Sequence, residues 1–347
     1  MQIGIDSFIS AGSPNQLTSP IPAEDRMWRL LEEIETADRA GLDAFGIGEH
    51  HRPEFLDSAP AVILAAAAAR TKQIRLASAV TVLSAADPVR VFQEFATLDL
   101  ISRGRAEIVA GRGSFTEAFP LFGLSLRDYD SLFAEKLELL LKIRGSTYVT
   151  WLGQHRPALD NQPIFPRPVQ EKMPIWLGVG GSPESFIRAG NLGLPLMVAI
   201  IGGEPHRFRT LIDLYREAGR LAGHPASELR VGIHAIGFLG ETDQQARDDA
   251  FPGYHEAFTR IGKERGWPPV TRAQFDAGCG PKGALLIGNA ETVAAKVFSI
   301  HTALGGIARI NFQMTLAAVS HDKMLRSIRL LGNDLAPIIR REFSSCP

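Results

Sequence analysis

A chain of 347 residues that is 45% hydrophobic and 22% charged has ample material for a large core. A formal net charge of −1 excludes the basic footprint of a nucleic-acid or polyanion binder. Two cysteines, Cys279 and Cys346, stand in unrelated contexts, so neither a disulfide framework nor a zinc spacing follows, and a reduced, cytoplasmic compartment is expected. The opening Met-Gln-Ile-Gly-Ile-Asp reads directly as a strand, with no signal-like apolar region, and no apolar run reaches membrane length.

Residues 3–8 read as the first strand and 10–22 as a polar Pro/Gly loop. Residues 24–40 carry Met27, Leu30, Leu31, Ile34 and Ala37 at helical spacing and stop at Gly41. Residues 42–48 form a second strand that ends in Glu49-His50-His51-Arg52. The alanine-rich helix 59–70 lets another helix approach closely, either on its own barrel or in a homodimer. The apolar, β-branched run 74–83 reads as one buried strand. Asp87-Pro88 starts a helix, with an acceptor at the cap and a fixed φ where no N–H is needed. Val91, Phe92, Phe95, Leu98 and Ile101 continue it and Gly104 closes it. A further strand, 106–111, empties into Gly111-Arg112-Gly113. Parallel neighbours joined this way require a right-handed crossover.

Residues 114–128 read as a loop with Phe115, Phe119 and Phe122, and 129–143 as a helix. Residues 145–173 break the α/β rhythm and read as an insertion crossing the barrel surface, with Thr147-Tyr-Val-Thr-Trp151 suited to a strand and Pro163, Pro166 and Pro168 forbidding a helix. Strand 174–179 runs into Gly180-Gly181-Ser182-Pro183-Glu184-Ser185, where Ser182 is expected to cap a helix starting at Pro183. Strand 194–200, helix 205–222, strand 229–239 and helix 242–262 follow. Residues 264–283 are Pro/Gly-rich and give no clear element. Helix 290–304, strand 307–313 and helix 321–340 complete the chain. About eight strands, nearly all followed by a helix, predict an α/β fold: one TIM (β/α)8 barrel over 1–347, with insertions near 145–173 and 264–283.

In such a barrel the ligand site lies at the C-terminal ends of the strands. The glycine amides, two hydroxyls and helix start at 180–185 suit a phosphate, although a plain serine-capped βα turn has the same spacing. Arg112, between two glycines, suits a bidentate phosphate contact or a surface ion pair. His50 and His51 are adjacent, so on a strand they face opposite ways and do not easily chelate one metal. No metal is therefore expected, and a single histidine handling a proton at the barrel mouth is the favoured reading beside a structural one. Glu49 reads either as a site carboxylate or as the partner that orients a histidine. Ser78-Ala79-Val80 presents small side chains to a flat ring or to core neighbours.

The composite of Gly46-Ile-Gly-Glu-His-His51, the run from Ile74 to Pro88-Val-Arg90, Leu98-Asp-Leu-Ile-Ser-Arg-Gly-Arg105, Gly111-Arg-Gly113 and Phe122-Gly123 resembles the bacterial luciferase-like flavin-dependent monooxygenases. The resemblance spans about residues 3–335. It implies a barrel holding FMN at its strand ends, with a non-proline cis peptide joining Ala79 and Val80 beneath the flavin ring. It matches Arg112, Gly181, Ser182 and Ser185 to phosphate-contacting positions, with Gly111 and Gly180 beside them, and His50 to the family's catalytic histidine. Two departures stand out. Gly111 replaces a cysteine that is reactive in bacterial luciferase, and the luciferase-type acidic residue near Gly181 is missing. Both point away from light emission and a long-chain aldehyde substrate.

The implied activity is oxidation of a small organic substrate by O2 and reduced FMN, the latter supplied by a separate flavin reductase. Relatives that use the deazaflavin F420 transfer hydride without oxygen and form the nearest rival. A metal-dependent barrel hydrolase built on His50, His51 and Asp6, and a barrel that binds flavin without catalysis, are the rivals from other classes. Phe8, Phe115 and Phe119 are expected in the pocket wall. Residues 145–173 and 264–283 are expected to form a lid.

Overall fold

Apart from one antiparallel hairpin, the strands are short, mostly apolar runs covered on both faces, as a parallel sheet flanked by helices requires. In the computed structural model, which describes residues 1–10, 21–315 and 319–344, they are β1 (Gln2–Ser7), β2 (Ala44–Ile47), β3 (Arg75–Ser78), β4 (Thr81–Val82), β5 (Ala106–Gly111), β6 (Tyr148–Trp151), β7 (Leu159–Pro163), β8 (Ile175–Val179), β9 (Leu196–Ala199), β10 (Val231–Leu239), β11 (Leu286–Gly288) and β12 (Arg309–Gln313). Most of the loop expected at 10–22, and Cys346, lie outside the described residues. The order β12–β1–β2–β3–β5–β8–β9–β10 is parallel throughout, and β10 pairs back onto β12. Eight strands thus close a TIM barrel.

The helices are α1 (Ala23–Arg39), α2 (Pro60–Arg70), α3 (Pro88–Ser102), α4 (Ala118–Leu121), α5 (Tyr129–Gly145), α6 (Pro183–Asn191), α7 (Arg209–Leu221), α8 (Asp243–Arg265), α9 (Arg272–Cys279), α10 (Ala290–Ala303), α11 (His321–Leu330) and α12 (Ala336–Ser344). Asp87 caps α3 as expected: its Oδ1 accepts from the amides of Val89 and Arg90 at 2.9 and 3.1 Å. The alanine-rich α2 packs against α1 and α3 of its own barrel. Among the described residues no helix is long and apolar enough to cross a membrane.

Three expectations need correction. The run 74–83 is not one strand. It is interrupted by a cis peptide between Ala79 and Val80, after which β4 pairs with β5. The loop 114–128 contains the short helix α4. The segment 145–173 folds with β6 where a strand was expected, paired antiparallel with β7 in a two-stranded sheet of its own. Within 264–283 lies α9, started by a capping box in which Thr271 and Gln274 bond each other's backbone amides. The short β11, which extends the sheet beside the outer end of β10, has no counterpart in the sequence reading.

The barrel floor at the N-terminal strand ends is closed by an ionic plug. Arg309 donates to Glu107 at 2.6 and 3.1 Å, and Arg75 donates to the same carboxylate. Burial alone would raise the Glu107 pKa, but Arg309 and Arg75 hold it below the ordinary value. The Arg309 guanidinium also lies 4.5 Å from the centre of the Trp176 ring. The plug leaves the opposite, C-terminal end of the barrel as the open one.

Candidate active site

At that open end lies a cavity of about 670 Å³, within the usual range for a small-molecule site. One wall comes from the third, fourth and fifth barrel strands. The cis peptide puts Val80 against β5 and β8. A Cβ on Gly111 would come within 2.6 Å of Val80, and one on Gly178 within 2.7 Å. Both glycines are therefore dictated by close packing on Val80, which the sequence reading did not see. Ala79, Val80, Val109, Gly111 and Gly178 together line the cavity with small or flat apolar surface.

Beyond this wall the chain turns through Gly180-Gly181-Ser182 into α6. A Cβ on Gly180 or Gly181 would meet nothing within 4 Å, so bare backbone borders open space. Arg112 Nη2 donates to Ser185 Oγ at 3.2 Å, while Nη1 donates to Asp130 Oδ1 at 2.6 Å. The guanidinium also sits 5.2 Å from the centre of the Tyr129 ring. Ser182 occupies the N-cap position of α6, but its hydroxyl donates to Glu184 Oε2 at 2.7 Å and caps no amide. That corrects the expected serine cap. The Ser182 bond draws the Glu184 pKa below the ordinary value. A guanidinium, a buried hydroxyl and the amide end of a nine-residue helix fit a phosphate. Asp130 and Glu184 are exposed side chains able to swing away from it.

His50 follows β2. Its Nδ1 donates to Asp57 Oδ2 at 2.9 Å, and its ring stacks on Phe55 at 4.3 Å between centroids. Gly48 makes this possible, since a Cβ there would come within 2.7 Å of Asp57 Oδ2 and 2.8 Å of His50 Cε1. Burial raises the Asp57 carboxyl above its ordinary pKa, with His50 opposing. Asp57 lies in an irregular loop and carried no motif that could have flagged it. His51 is turned to a different partner, Glu49 Oε1, at 3.2 Å. Glu49 Oε2 also accepts from the Val82 amide at 2.9 Å. Glu49 also lines the cavity, so the structure gives it both a histidine partner and a place at the site.

Asp6, His234 and Asn311 also line the cavity. His234 Nδ1 donates to Asp6 Oδ2 at 2.6 Å, and Asn311 Nδ2 donates to Asp6 Oδ1 at 2.9 Å. His234 was missed, because it sits inside the long apolar run of β10. With Asp6, His50 and His51 each taking a separate partner, the residues of the metal-hydrolase reading do not converge. Among the described residues no group of three His, Cys, Asp or Glu side chains is gathered for a metal.

Of the two segments expected over the cavity, 145–173 contributes no lining residue among the described residues, and 264–283 contributes Arg265 and Trp267. Most of this side comes from α8, with Tyr254, Phe258, Arg260 and Ile261. Arg52 ties α8 to the neighbouring segments: it donates to Glu264 on α8, to Glu117 at 2.7 Å and to Glu54 at 3.1 Å. Phe8 and Phe115 line the cavity as expected, but Phe119 is fully buried outside it.

Residues 1–305 match the sequence profile described as luciferase-like monooxygenase. The chain belongs to this family. Among its relatives, the protein y4wF of Sinorhizobium fredii is 30% identical over 227 residues, covering 65% of each chain, just under two thirds. The 4-hydroxyprotoasukamycin monooxygenase of Streptomyces nodosus subsp. asukaensis is 24% identical over 90% of this chain and 86% of its own. The monooxygenase RslO1 from Streptomyces bottropensis superposes with a TM-score of 0.83 at 25% identity, covering 97% of this chain and 99% of RslO1. Two further structures share the family fold. The oxygenating constituent of 3,6-diketocamphane monooxygenase from Pseudomonas putida, in complex with FMN, has a TM-score of 0.79 at 20% identity over 98% of both chains. An F420-dependent secondary alcohol dehydrogenase with an F420-acetone adduct has a TM-score of 0.74 at 18% identity over 98% of this chain and 99% of that one.

Proposed function

We propose that this luciferase-like protein is an FMN-dependent monooxygenase that oxidises a small organic substrate and receives reduced FMN from a separate flavin reductase. The observation that carries the reading is the Arg112–Ser185 contact beside the bare Gly180-Gly181 turn, next to the Ala79–Val80 wall. Reduced FMN, when bound, supplies the electrons that activate O2. Monooxygenases among its relatives support the oxygenase reading with FMN, and the F420-dependent enzymes among its relatives and fold neighbours keep a hydride-transfer enzyme as the rival.

Each residue has a physical task. Arg112, Ser185, Ser182 and the first amides of α6 hold the phosphate tail, the helix end adding a favourable dipole. Ala79, Val80, Gly111 and Gly178 give a flat ring a surface free of bulky side chains. His50 keeps its Nδ1 proton on Asp57, so its Nε2 is the atom free to take up or release a proton. Asp57 acts through His50 and is a positioning residue. The α8 lid, latched by Arg52, excludes water from the site.

The test is the reaction of protein-bound reduced FMN with oxygenated buffer, followed by absorbance. The expected result is an oxidation rate distinct from that of free reduced FMN, and one that depends on Arg112. Kinetics identical to free flavin at saturating protein would overturn the proposal.

A further inference from the structure

Around the barrel, the Ala79–Val80 wall, Arg112 and the 180–185 turn belong to the third to fifth strands and His50 follows the second. Asp6, His234 and Asn311 come from the first, seventh and eighth strands and line the same cavity. All three are buried, at 1%, 6% and 2% exposure. A carboxylate only accepts, so the Asp6 contact fixes the ring proton on His234 Nδ1 and leaves Nε2 as an acceptor. The ring is held by a stack on Phe8, 5.5 Å between centroids and 16° from parallel. Asn311 Oδ1 has no hydrogen-bond partner among the described residues. That oxygen packs against β1, where a Cβ on Gly4 would come within 2.5 Å of it. Phe8, Phe55, Phe115, Tyr254, Phe258 and Trp267 line the same cavity, and aromatic faces suit a flat aromatic ligand.

On the flavin monooxygenase reading, we infer that the Asp6, His234 and Asn311 group is the substrate subsite and that it takes a planar aromatic substrate bearing a hydroxyl group. The hydroxyl donates to His234 Nε2. Its O–H bond breaks, the proton passes to Nε2, and the electron pair stays on oxygen as an aryloxide. The imidazolium so formed faces the Asp6 carboxylate, and the step needs no oxidant or reductant. An aryloxide ring is richer in electrons than its parent phenol, which prepares it for attack by an electrophilic oxygen donor. The other titratable side chains lining the cavity include His50, which packs on Phe8 at 4.8 Å between centroids, and Tyr254, Glu256, Arg260 and Arg265 of α8. Glu49 is already engaged by His51 and the Val82 amide.

The probe is 4-nitrophenol, added to the full-length protein below the probe's own pKa and read by difference absorbance. The wild type is expected to bind it as the yellow phenolate. His234→Asn should lose that band, Asp6→Asn should diminish it, and His50→Asn should keep it. A full phenolate band in His234→Asn, or binding of the neutral phenol alone by the wild type, overturns the inference. Should His234→Asn not fold, 4-nitroanisole decides on the wild type. The ether has no proton to give and is expected to bind at least tenfold more weakly, whereas equal affinity overturns the inference. The readout uses neither reduced flavin nor O2. A failure of FMN binding would therefore count against the cofactor reading alone.

Discussion

Arg112 and Ser185 stand 73 positions apart, yet the guanidinium meets the hydroxyl at 3.2 Å where the fourth and fifth barrel strands deliver them side by side. A cation, a buried hydroxyl and a helix start converge on one turn whose glycines leave the space open. Arg112→Ala should weaken FMN binding by roughly 1.5–3 kcal/mol, the usual range for a hydrogen bond to a charged group. Arg112→Lys keeps the charge but not the fork and should recover only part of it. Flavin fluorescence quenching reads both, and an unchanged affinity in Arg112→Ala would remove the phosphate role.

His50 and Asp57 separate binding from turnover. His50→Ala should retain FMN affinity and lose turnover by about 10²–10⁴-fold, the range for a positioned proton-transfer group. Asp57→Asn leaves the imidazole in place without a carboxylate partner, so turnover should fall and the pH–rate profile should move. If Asp57→Asn leaves both rate and profile unchanged, the carboxylate has no part in orienting His50.

The three carboxylates around Arg52, Glu264 foremost, hold its guanidinium still more firmly protonated than usual. Arg52→Gln should release α8 from the cavity mouth. Each partner is partly exposed, so the stability cost should stay near 1 kcal/mol per pair or less. Hydrogen exchange should rise across residues 254–267 and the substrate KM should increase. Unaltered exchange there would mean that packing alone holds the lid.

The bond between α1 and α11 has a pH signature. The carboxylates of Glu33 and Glu32 raise the pKa of His321, with His321 Nε2 2.9 Å from Glu32 Oε2. A raised folded-state value means that the proton is held more tightly in the native protein. The contribution is therefore complete below the unfolded value of about 6.5 and is lost as pH climbs through the folded value. The wild-type melting temperature should fall over that interval, and His321→Gln should flatten the fall. A steeper fall in the variant would reverse the sign.

The strand–helix rhythm, the caps at Asp87 and the cavity's position at the strand ends were legible because they follow from local pattern and chain geometry. So was the Arg112 neighbourhood, because glycines, serines and one arginine sit at matching strand ends. His234 was not legible: β10 is buried on every residue, so neither its apolar run nor its alternation marks His234 and Ile236 as the residues that line the cavity. Asp57 was hidden because its meaning comes from Gly48, nine positions earlier in the chain, which clears the space it fills. Gly111 shows the converse, a residue read for ligand contact that is also fixed by Val80. The α9 helix did carry a signal, Thr271-x-x-Gln274, which the surrounding prolines and glycines obscured.

The most direct test is an equilibrium titration of the wild-type protein and Arg112→Ala with reduced FMN and, separately, with reduced F420. The account predicts saturable FMN binding that Arg112→Ala weakens by about 10- to 150-fold, the span of 1.5–3 kcal/mol, together with weaker binding of F420. Tight F420 binding with none to FMN, or FMN binding indifferent to Arg112, would contradict it.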